Sequence, residues 1–408
     1  MIPVEEARAR LLAGLGRTGT EWVALDRARG RVLAQDLSAR RDQPPCPVSA
    51  MDGYAVRAAD LALPGQSLRL IGRSVAGHGF AGTLGAGETV RIFTGAPIPA
   101  GADAVALQED ATADGERITF AEAVAPGSFV RRQGLDFTTG SLALAAGTQL
   151  GPLQLGLAAT AGHAWLPVRR RPRAAILSTG DELVRPGETP GPAQIVSSNA
   201  NTLAAMVEAW GGEAVDLGIV PDERAALAAA FGNLDDIDIL LTSGGASVGE
   251  HDLVQEVATS CGMRLDFWKI AMRPGKPLMV GRLGRTTMIG FPGNPVSSAV
   301  CAILFLRGAL RTMLGQDPAL PVRKLPLSRP LPANDRRQDY LRGMLEELPE
   351  GRLAVHAAQR QDSSMFATLA RSDALIVRPP HAGPAEVGAK VEVVLLAEVL
   401  SELPRFPV

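Results

Sequence analysis

The sequence predicts a multidomain chain of the α/β and β classes, with a doubly wound, mostly parallel α/β domain near its centre. One observation is the alternation of apolar strand-like runs with helical runs between Arg173 and about residue 318, which is typical of βαβ units. The other is the series of brief apolar runs with Gly and Pro turns on both sides of that region, which predicts β-rich modules. A chain of 408 residues also exceeds what one hydrophobic core usually organises, so we expect several domains.

Changes in sequence texture divide the chain into four expected domains. An elongated linking domain with helical content encloses a β-rich inserted module, and an α/β domain and a small β-barrel-like C-terminal domain follow. In that order they span residues 1–44 with 140–170, 45–139, 171–318 and 319–408. The run "RRRP" at 169–172 marks the junction with the α/β domain, and the apolar stretch 142–168 before it is compatible with helix.

Two helix starts can be placed in the α/β domain. Asp222 precedes "ERAALAAAF" and is a suitable N-cap for that helix. Asn294 is the expected cap of a helix that runs from Pro295 to Leu310, with the proline at the first helical position.

Composition argues against several classes of function. The formal net charge of −2, with no basic run interleaved with aromatic residues, argues against a nucleic-acid partner. No stretch reaches the roughly 18 apolar residues of a membrane span. The three cysteines lie far apart without C-x-x-C spacing, which argues against a zinc site or a disulfide framework. We therefore expect a protein of the reducing cytoplasm.

Three polar turns follow successive predicted strands of the α/β domain. They read "LSTGDEL" at 177–183, "LTSGGASVGEHD" at 241–252 and "GFPGNPVSS" at 290–298. In open α/β sheets ligands bind outside the carboxyl ends of the strands. Glycines let backbone N–H groups approach an oxyanion, hydroxyls add donors, and the following helix adds partial positive charge. Each turn alone could equally be a tight turn with a helix cap, but three in one sheet predict a phosphate-binding site.

Acidic residues in the same turns indicate a metal ion. Carboxylates would repel a bare phosphate unless a hard cation such as Mg²⁺ lay between them. We assign Glu182 and Asp252 to the metal, whereas Asp181 and Glu250 suit helix-cap roles. The site would therefore combine phosphate and metal.

Two further groups of charged residues are candidates. Lys269, Arg273 and Lys276 lie next to a Pro-Gly turn and suit a polyanionic ligand, although a solvated cationic loop is the ordinary alternative. In the β-rich module, Asp52 lies in the hairpin-like "AMDGY", and Arg131 with Asp136 lies in "RRQGLDF". Local sequence alone does not bring the β-module residues to the α/β domain.

The motifs together resemble those of a known family. "PVSAMDGYAV", "RIFTGAPIP", "LSTGDEL", "TSGGASVGEHD", "RPGKP" and "GFPGNPVSS" occur in this order over nearly the whole chain. This set resembles the molybdopterin molybdenumtransferases, which are similar to the C-terminal domain of gephyrin. "TSGG" and "PGNP" alone are less specific, because single-domain pterin adenylyltransferases share them.

The resemblance implies a transferase that inserts molybdate into adenylylated molybdopterin with Mg²⁺-dependent release of AMP. It implies a homodimer in which the β-rich module of one subunit closes over the α/β domain of the other, and it allows other proteins of molybdenum cofactor biosynthesis as partners. Arg273 stands where relatives often have Lys. By this resemblance the catalytic residues are Asp52, Asp136, Glu182 and Asp252, with Glu182 and Asp252 also on the metal. The implied substrate-binding residues are Thr94, Arg131, Thr179, Gly180, Ser243, Gly244, Gly245, Lys269, Arg273, Lys276, Pro292, Asn294, Pro295 and Ser363, with Ser364 as the alternative to Ser363.

Three other functions compete with this interpretation. An ATP-dependent molybdopterin adenylyltransferase would use the same α/β turns, but relatives with that activity commonly lack the accessory modules. A non-enzymatic scaffold like gephyrin would not need the acids of the turns, which are present. A nicotinamide-binding domain is disfavoured because no G-x-G-x-x-G follows the first strand of the α/β domain.

Overall fold

The computed structural model describes residues 1–244 and 253–400, and the structural statements below concern these residues. The expectation of a multidomain α/β and β chain is confirmed, with three six-stranded sheets and several two-stranded ones.

The linking part is built from two short strand pairs and one helix. Both pairs are antiparallel, Thr20–Ala24 with Trp165–Arg169 and Leu37–Ser38 with Leu142–Leu144. Helix Pro152–Thr160 packs on them through a small core around Leu33 and Leu166. The stretch 142–168, which we expected to be compatible with helix, is thus helical only in its middle. Turns at Gly147 and Gly162, which have φ of 83° and 93°, break it because positive φ suits glycine and not a helix.

The β-rich module forms one six-stranded sheet. Its strands are Gly53–Val56, Ser67–Ser74, Glu88–Ile92, Ala104–Leu107, Ala111–Asp114 and Arg117–Phe120. A further antiparallel pair, Val48–Ser49 with Val130–Arg131, lies where the chain enters and leaves the module. Both hydrophobic clusters of the module consist only of its own residues.

The α/β part has a mixed sheet of six strands. In spatial order these are Glu213–Val220, Arg173–Thr179, Ile239–Ser243, Thr286–Phe291, Met279–Leu283 and Arg264–Trp268. The first four run parallel to one another, and Met279–Leu283 is antiparallel to its neighbours on both sides, so Arg264–Trp268 again runs in the direction of the first four. A short parallel pair, Leu183–Val184 with Ile195–Val196, lies beside the sheet's first polar turn. The parallel strands direct their carboxyl ends, and the polar turns, to one edge.

Helices cover both faces of this sheet. One face carries helix Asn199–Ala209 and a long helix that runs from Pro295 to Met313. The long helix consists of Pro295–Cys301, a π-helical segment Ala302–Leu306, and Arg307–Met313. The other face carries helices Arg224–Phe231 and Leu253–Ser260. The N-terminal helix Val4–Ala13 also packs into this core. The helix from Pro295 to Met313 is long and apolar enough to cross a membrane, but 89% of its most apolar window is buried inside the protein.

One expected helix cap is wrong and another is correct in position. Helix Arg224–Phe231 has Glu223 at its N-cap, in extended conformation. Asp222 lies one residue earlier, and its backbone N–H donates to Oδ1 of Asp181 at 3.2 Å. The contact holds Asp222 in the preceding turn, so the helix begins later than predicted. Asn294 does occupy the N-cap of its helix, with Pro295 following, although its side chain makes no cap hydrogen bond.

The C-terminal part is a β domain that shares a core with the α/β part. Its strands are Arg323–Pro326, Gln338–Leu348, Arg352–Ala357, Ala374–Arg378 and Lys390–Leu395, and its helices are Phe366–Ala370 and Leu396–Leu400. Strand Met272–Arg273 from the α/β part joins this sheet in parallel with Gln338–Leu348. Tyr340 and Leu375 pack in the same cluster as the long buried helix. The two parts therefore form one packed unit.

Candidate active site at the carboxyl ends of the strands

The described residues of the three polar turns, which for the second turn are 241–244, meet at one edge of the α/β sheet. Gly244 has φ of 102°, and a Cβ added there would lie 2.2 Å from the carbonyl oxygen of Thr179. A Cβ added to Gly293 would lie 3.7 Å from the Cα of Gly244. Only glycine at position 244 permits this approach, because any side chain would collide with the neighbouring strand end.

Asn199 bridges two of these turns through its side-chain amide. Its Nδ2 donates to Ser243 Oγ at 2.6 Å and to the carbonyl oxygen of Gly293 at 2.8 Å. Both Asn199 and Ser243 are buried. Asn199 is not predicted as a site residue, since nothing in its local pattern distinguishes it from a residue at the start of a helix.

Several buried side-chain oxygens at this edge have no hydrogen-bond partner within the described ranges. They are Ser178 Oγ, Thr179 Oγ1, Thr242 Oγ1, Asn294 Oδ1 and Ser298 Oγ. Leaving a buried polar atom unpaired costs about 1–3 kcal/mol, and a cluster of such atoms in a native protein indicates a missing ligand, ion or water. The N-terminus of the long helix at Pro295 lies among them and adds partial positive charge. The edge is therefore suited to an anionic, oxygen-rich ligand.

Acidic residues gather at the outer side of this edge. Desolvation raises the pKa of Asp222, and the charges of Asp181 and Glu182 raise this pKa further. The Glu182 carboxylate lies over Gly180, where an added Cβ would be 2.4 Å from Oε2. Asp222 was missed as a site residue. It follows strand Glu213–Val220, so applying the strand-end rule to every parallel strand would have found it.

The metal site expected at Glu182 and Asp252 is not complete in the described part of the chain. Asp252, Gly245 and Glu250 lie outside the described residues. Within residues 1–244 and 253–400, no group of three or more His, Cys, Asp and Glu side chains is close enough to hold a metal ion. The carboxylates that are described supply hard oxygen donors of the kind that Mg²⁺ prefers.

The three cationic residues of the loop differ in their surroundings, and the two lysines lie at its base. The backbone N–H of Ile270 donates to the carbonyl oxygen of Lys276 at 2.9 Å, so Lys269 and Lys276 flank the base of a closed loop. Lys269 has φ of 71°, a left-handed conformation that costs a non-glycine residue about 1–2 kcal/mol. Strain of this kind is often kept where a side chain must be aimed.

Arg273, at the far end of the loop, binds carboxylates of the C-terminal part. Its Nε donates to Asp339 Oδ1 at 2.9 Å, its Nη2 contacts the other carboxylate oxygen, and Asp335 lies 3.5 Å from Nη1. Hydrogen bonding to Asp339 and the nearby negative charges raise the pKa of Arg273. The guanidinium that we expected to bind substrate is thus held in an ion pair that joins two parts of the molecule.

A buried arginine in the C-terminal part was not foreseen. Arg342 is 1% exposed, and its Nε has no partner in the part of the chain that the structure describes. Its Nη2 donates to the carbonyl oxygen of Asp362 at 3.1 Å, and burial lowers its pKa. The half-buried Ser363 lies in the adjacent turn, whereas the hydroxyl of Ser364 donates to Asp362 Oδ1 at 2.6 Å. This is a second cationic position with unused donors.

The described contacts of the candidate residues of the β-rich module are with the module itself and with the linking part. Thr94 binds Asp52 through its backbone N–H and its hydroxyl, at 2.7 and 2.8 Å from Oδ1. The exposed Arg131 pairs with Val48 in the entry strands, and the backbone N–H of the exposed Asp136 donates to Gln43 at 2.9 Å. Since the module's hydrophobic clusters contain only its own residues, nothing in its core brings these groups to the α/β edge.

The fold and the site define a multidomain α/β protein whose central sheet ends in an edge lined with buried hydroxyls. Three family models match successive parts of the chain. Their descriptions are MoeA N-terminal region (domain I and II) over residues 2–162, probable molybdopterin binding domain over 175–312 and MoeA C-terminal region (domain IV) over 324–396.

Full-length relatives agree with these matches. The chain is 36% identical to the molybdopterin molybdenumtransferase of Haemophilus influenzae, covering 96% of this chain and 98% of the relative. It is 32% identical to the Bacillus subtilis protein of the same name, over 97% and 94%. A crystal structure of the molybdopterin biosynthesis MoeA protein from Pyrococcus horikoshii superposes with a TM-score of 0.84 at 29% identity, covering 97% of this chain and 99% of that chain. The chain belongs to the molybdopterin molybdenumtransferase family, as its motifs predicted.

Proposed function

We propose that the protein inserts molybdate into adenylylated molybdopterin with Mg²⁺-dependent release of AMP, and so forms the molybdenum cofactor. The observation that supports this most is that the described residues of three polar turns meet around buried oxygens that have no partner among residues 1–244 and 253–400, in a chain of this family. A phosphorylated pterin nucleotide has the oxyanions that such an edge can bind.

The chain's own groups bind and orient the substrate in this proposal. Ser243, Thr179 and the backbone N–H groups at Gly244 and Gly245 hold phosphate oxygens, together with the positive end of the helix that starts at Pro295. Pro292 and Asn294 shape that helix start, and Gly180 lets the first turn approach. Lys269 and Lys276 bind the anionic groups of molybdate or of the anhydride.

No side-chain nucleophile is required. Water attacks the adenylate phosphorus and forms the new P–O bond of AMP, while the phosphoanhydride bond breaks and the phosphate of molybdopterin is the leaving group. The two dithiolene sulfurs bind molybdenum, and their protons leave with one molybdate oxygen as water. When bound, Mg²⁺ would supply positive charge to the phosphate oxygens. Glu182 and Asp252 are the proposed ligands. The described acids fit this role. Burial and acidic neighbours raise the pKa of Asp222, and a cation at this position would offset the repulsion among these carboxylates.

We further propose a homodimer in which the β-rich module closes over the α/β part of the other subunit. The separate core of the module supports this arrangement, because Asp52, Thr94, Arg131 and Asp136 then reach a site built by another chain.

Co-expression of Asp52→Asn and Glu182→Gln chains tests the proposed homodimer. With shared sites, mixed dimers contain one intact site each and restore about a quarter of the parent activity. Unshared sites would give no recovery.

The reaction itself is tested with purified protein, adenylylated molybdopterin, molybdate and Mg²⁺. We expect release of AMP and formation of cofactor that reconstitutes a molybdenum enzyme, dependent on all three additions. In parallel, ATP and molybdopterin are supplied and pyrophosphate is measured. Pyrophosphate release without cofactor formation would instead identify an adenylyltransferase, and inactivity in both assays would leave the scaffold function.

A further inference from the structure

The side chain of Lys269 folds back onto the residue before it. Trp268 is the last residue of strand Arg264–Trp268, and in a regular strand the next side chain would point to the opposite face. The φ of 71° at Lys269 breaks that alternation. As a result, the ammonium nitrogen of Lys269 lies 3.8 Å from the centroid of the Trp268 ring, within the range of a cation–π contact.

Trp268 is a fixed platform for this contact. It pairs with Met279 in the sheet and packs against the hydrophobic cluster that includes Leu227 and Val254, under the outer pair of helices. Its indole Nε1 is buried and has no hydrogen-bond partner among residues 1–244 and 253–400. Among the described residues, the ring is therefore held by packing.

The choice of partner decides what Lys269 can do. A carboxylate partner would neutralise the ammonium and compete with an anionic ligand, as Asp339 does for Arg273 in the same loop. An aromatic face attracts the cation but carries no net charge. It also leaves the ammonium hydrogens available as donors. Within the described part of the chain, no carboxylate pairs with Lys269.

We propose that Trp268 is a positioning residue for substrate binding, whose ring aims the ammonium of Lys269 at the anionic group of the substrate. The inference rests on the proposed role of Lys269 as an anion-binding residue. It explains why a lysine occupies a left-handed position that favours glycine, since the strained backbone is what places the ammonium on the ring.

A double-mutant cycle tests the inference with steady-state kinetics. The variants are Trp268→Leu, Lys269→Met and the double substitution, with thermal unfolding of each as a check on folding. KM is measured for adenylylated molybdopterin and for molybdate. Trp268→Leu is expected to raise KM for the anion that Lys269 binds roughly three- to tenfold with little change in kcat, because binding and not chemistry is weakened. In the Lys269→Met background the same change at position 268 should have no further effect.

One conservative variant and one series of fluorinated tryptophans separate the electrostatic effect of the Trp268 ring from its packing. Trp268→Phe keeps an aromatic face and should retain most of the affinity. Site-specific replacement of Trp268 by tryptophans with increasing numbers of fluorine atoms weakens the ring's attraction for cations at nearly constant shape, and KM should rise with each step. If Trp268→Leu fails to fold, this series still decides the matter. Trp165→Leu, at an exposed tryptophan of the linking part, is the matched control.

The outcomes distinguish the two proposals. If Lys269→Met has the parent KM, the anion-binding role of Lys269 is wrong and the inference fails with it. If Lys269→Met raises KM while Trp268→Leu does not, only the inference is overturned. Equal effects of Trp268→Leu in both backgrounds, or a flat response to fluorination, would show that the ring acts by packing alone.

Discussion

Asp52 and Thr94 form a two-point clamp in which both donors of Thr94 reach the same carboxylate oxygen. The backbone N–H is 2.7 Å and the hydroxyl 2.8 Å from Oδ1 of Asp52. Asp42 binds Thr139 in the same way, at 2.7 and 2.8 Å. Hydrogen bonds to the ionised form lower the pKa of Asp52, with the Thr94 backbone as the largest cause. At neutral pH Asp52 is therefore an anion that can accept hydrogen bonds or a metal, and not a general acid.

Removing the hydroxyl with Thr94→Val should raise the pKa of Asp52 toward its ordinary value. Because the folded pKa lies below the unfolded one, the clamp stabilises the fold above the unfolded pKa. That stabilisation is lost as pH falls through the folded value. Urea unfolding should show Thr94→Val less stable than the parent at pH 7, with the difference vanishing in strong acid. A difference that persists unchanged at low pH would mean that the hydroxyl acts through packing.

Asp222 has the opposite linkage, because desolvation and the charges of Asp181 and Glu182 raise its pKa. A carboxyl with a raised folded pKa favours folding below its unfolded pKa, and this contribution is lost as pH rises through the folded value. Asp222→Asn should therefore increase the melting temperature at pH 7 in the absence of divalent ions, and should give no increase below about pH 4.

Magnesium gives a second measurement at the same position. Mg²⁺ should raise the melting temperature of the parent more than that of Asp222→Asn, since the cation relieves repulsion that the variant lacks. Glu223→Gln, one residue along the chain, is the control and should respond as the parent does. Equal Mg²⁺ responses of all three proteins would argue against a cation among these acids.

Asn199 should matter for both stability and turnover because it joins two turns. Asn199→Ala removes hydrogen bonds to the buried Ser243 hydroxyl and to the carbonyl oxygen of Gly293, and the loss of the buried one should cost about 1–3 kcal/mol of unfolding free energy. Turnover should fall further than stability explains, since the Ser243 hydroxyl loses its orientation. Asn201→Ala, at an exposed position of the same helix, should change neither. Wild-type turnover in Asn199→Ala would remove the bridge from the mechanism.

The site was predictable where local pattern and topology suffice. The polar turns at Thr179, Ser243 and Asn294 follow strands of a parallel sheet, and parallel strands end at one edge, so their meeting follows from the alternation of strand and helix. The start of the long helix at Pro295 was likewise readable, because cap and proline preferences are local.

What could not be predicted is which distant groups become partners. The bridge from Asn199 spans 44 residues to Ser243, and the pair between Arg273 and Asp339 spans 66. A local window contains neither partner. The stretch 142–168 was read as helix-compatible because it is apolar, whereas the glycine turns and strand partners that divide it depend on pairing with residues near the N-terminus. Tertiary contacts override such intrinsic preferences.

Arg273 should behave as a residue that joins two parts of the molecule. Asp339 is 3% exposed, so Arg273→Ala leaves a buried carboxylate without its partner and should cost about 2–4 kcal/mol, discounted from a fully buried pair because the arginine is half exposed. Arg273→Lys keeps the charge but loses the two-pronged contact, and should cost about 1 kcal/mol. Chemical unfolding measures both, with the exposed Arg329→Ala as control. Parent stability in Arg273→Ala would contradict this role.

Arg342 allows a structural and a functional role to be told apart, because the two predict opposite effects on stability. Its guanidinium is 1% exposed, and within the described ranges its Nε is unpaired. Asp362 attracts this charge, but the described hydrogen bonds of the guanidinium go to backbone carbonyl groups, and a buried charge without a carboxylate bonded to it destabilises the fold. Arg342→Met should therefore leave the melting temperature unchanged or higher if the residue is retained for anion binding. Molybdate-dependent cofactor formation should meanwhile fall by at least about tenfold, which corresponds to roughly 1.4 kcal/mol of lost binding. Arg360→Met, at an exposed position of the neighbouring segment, should affect neither.

A large loss of stability with parent activity per folded molecule would instead assign Arg342 to the architecture of the C-terminal part, where its backbone already pairs with Gln361.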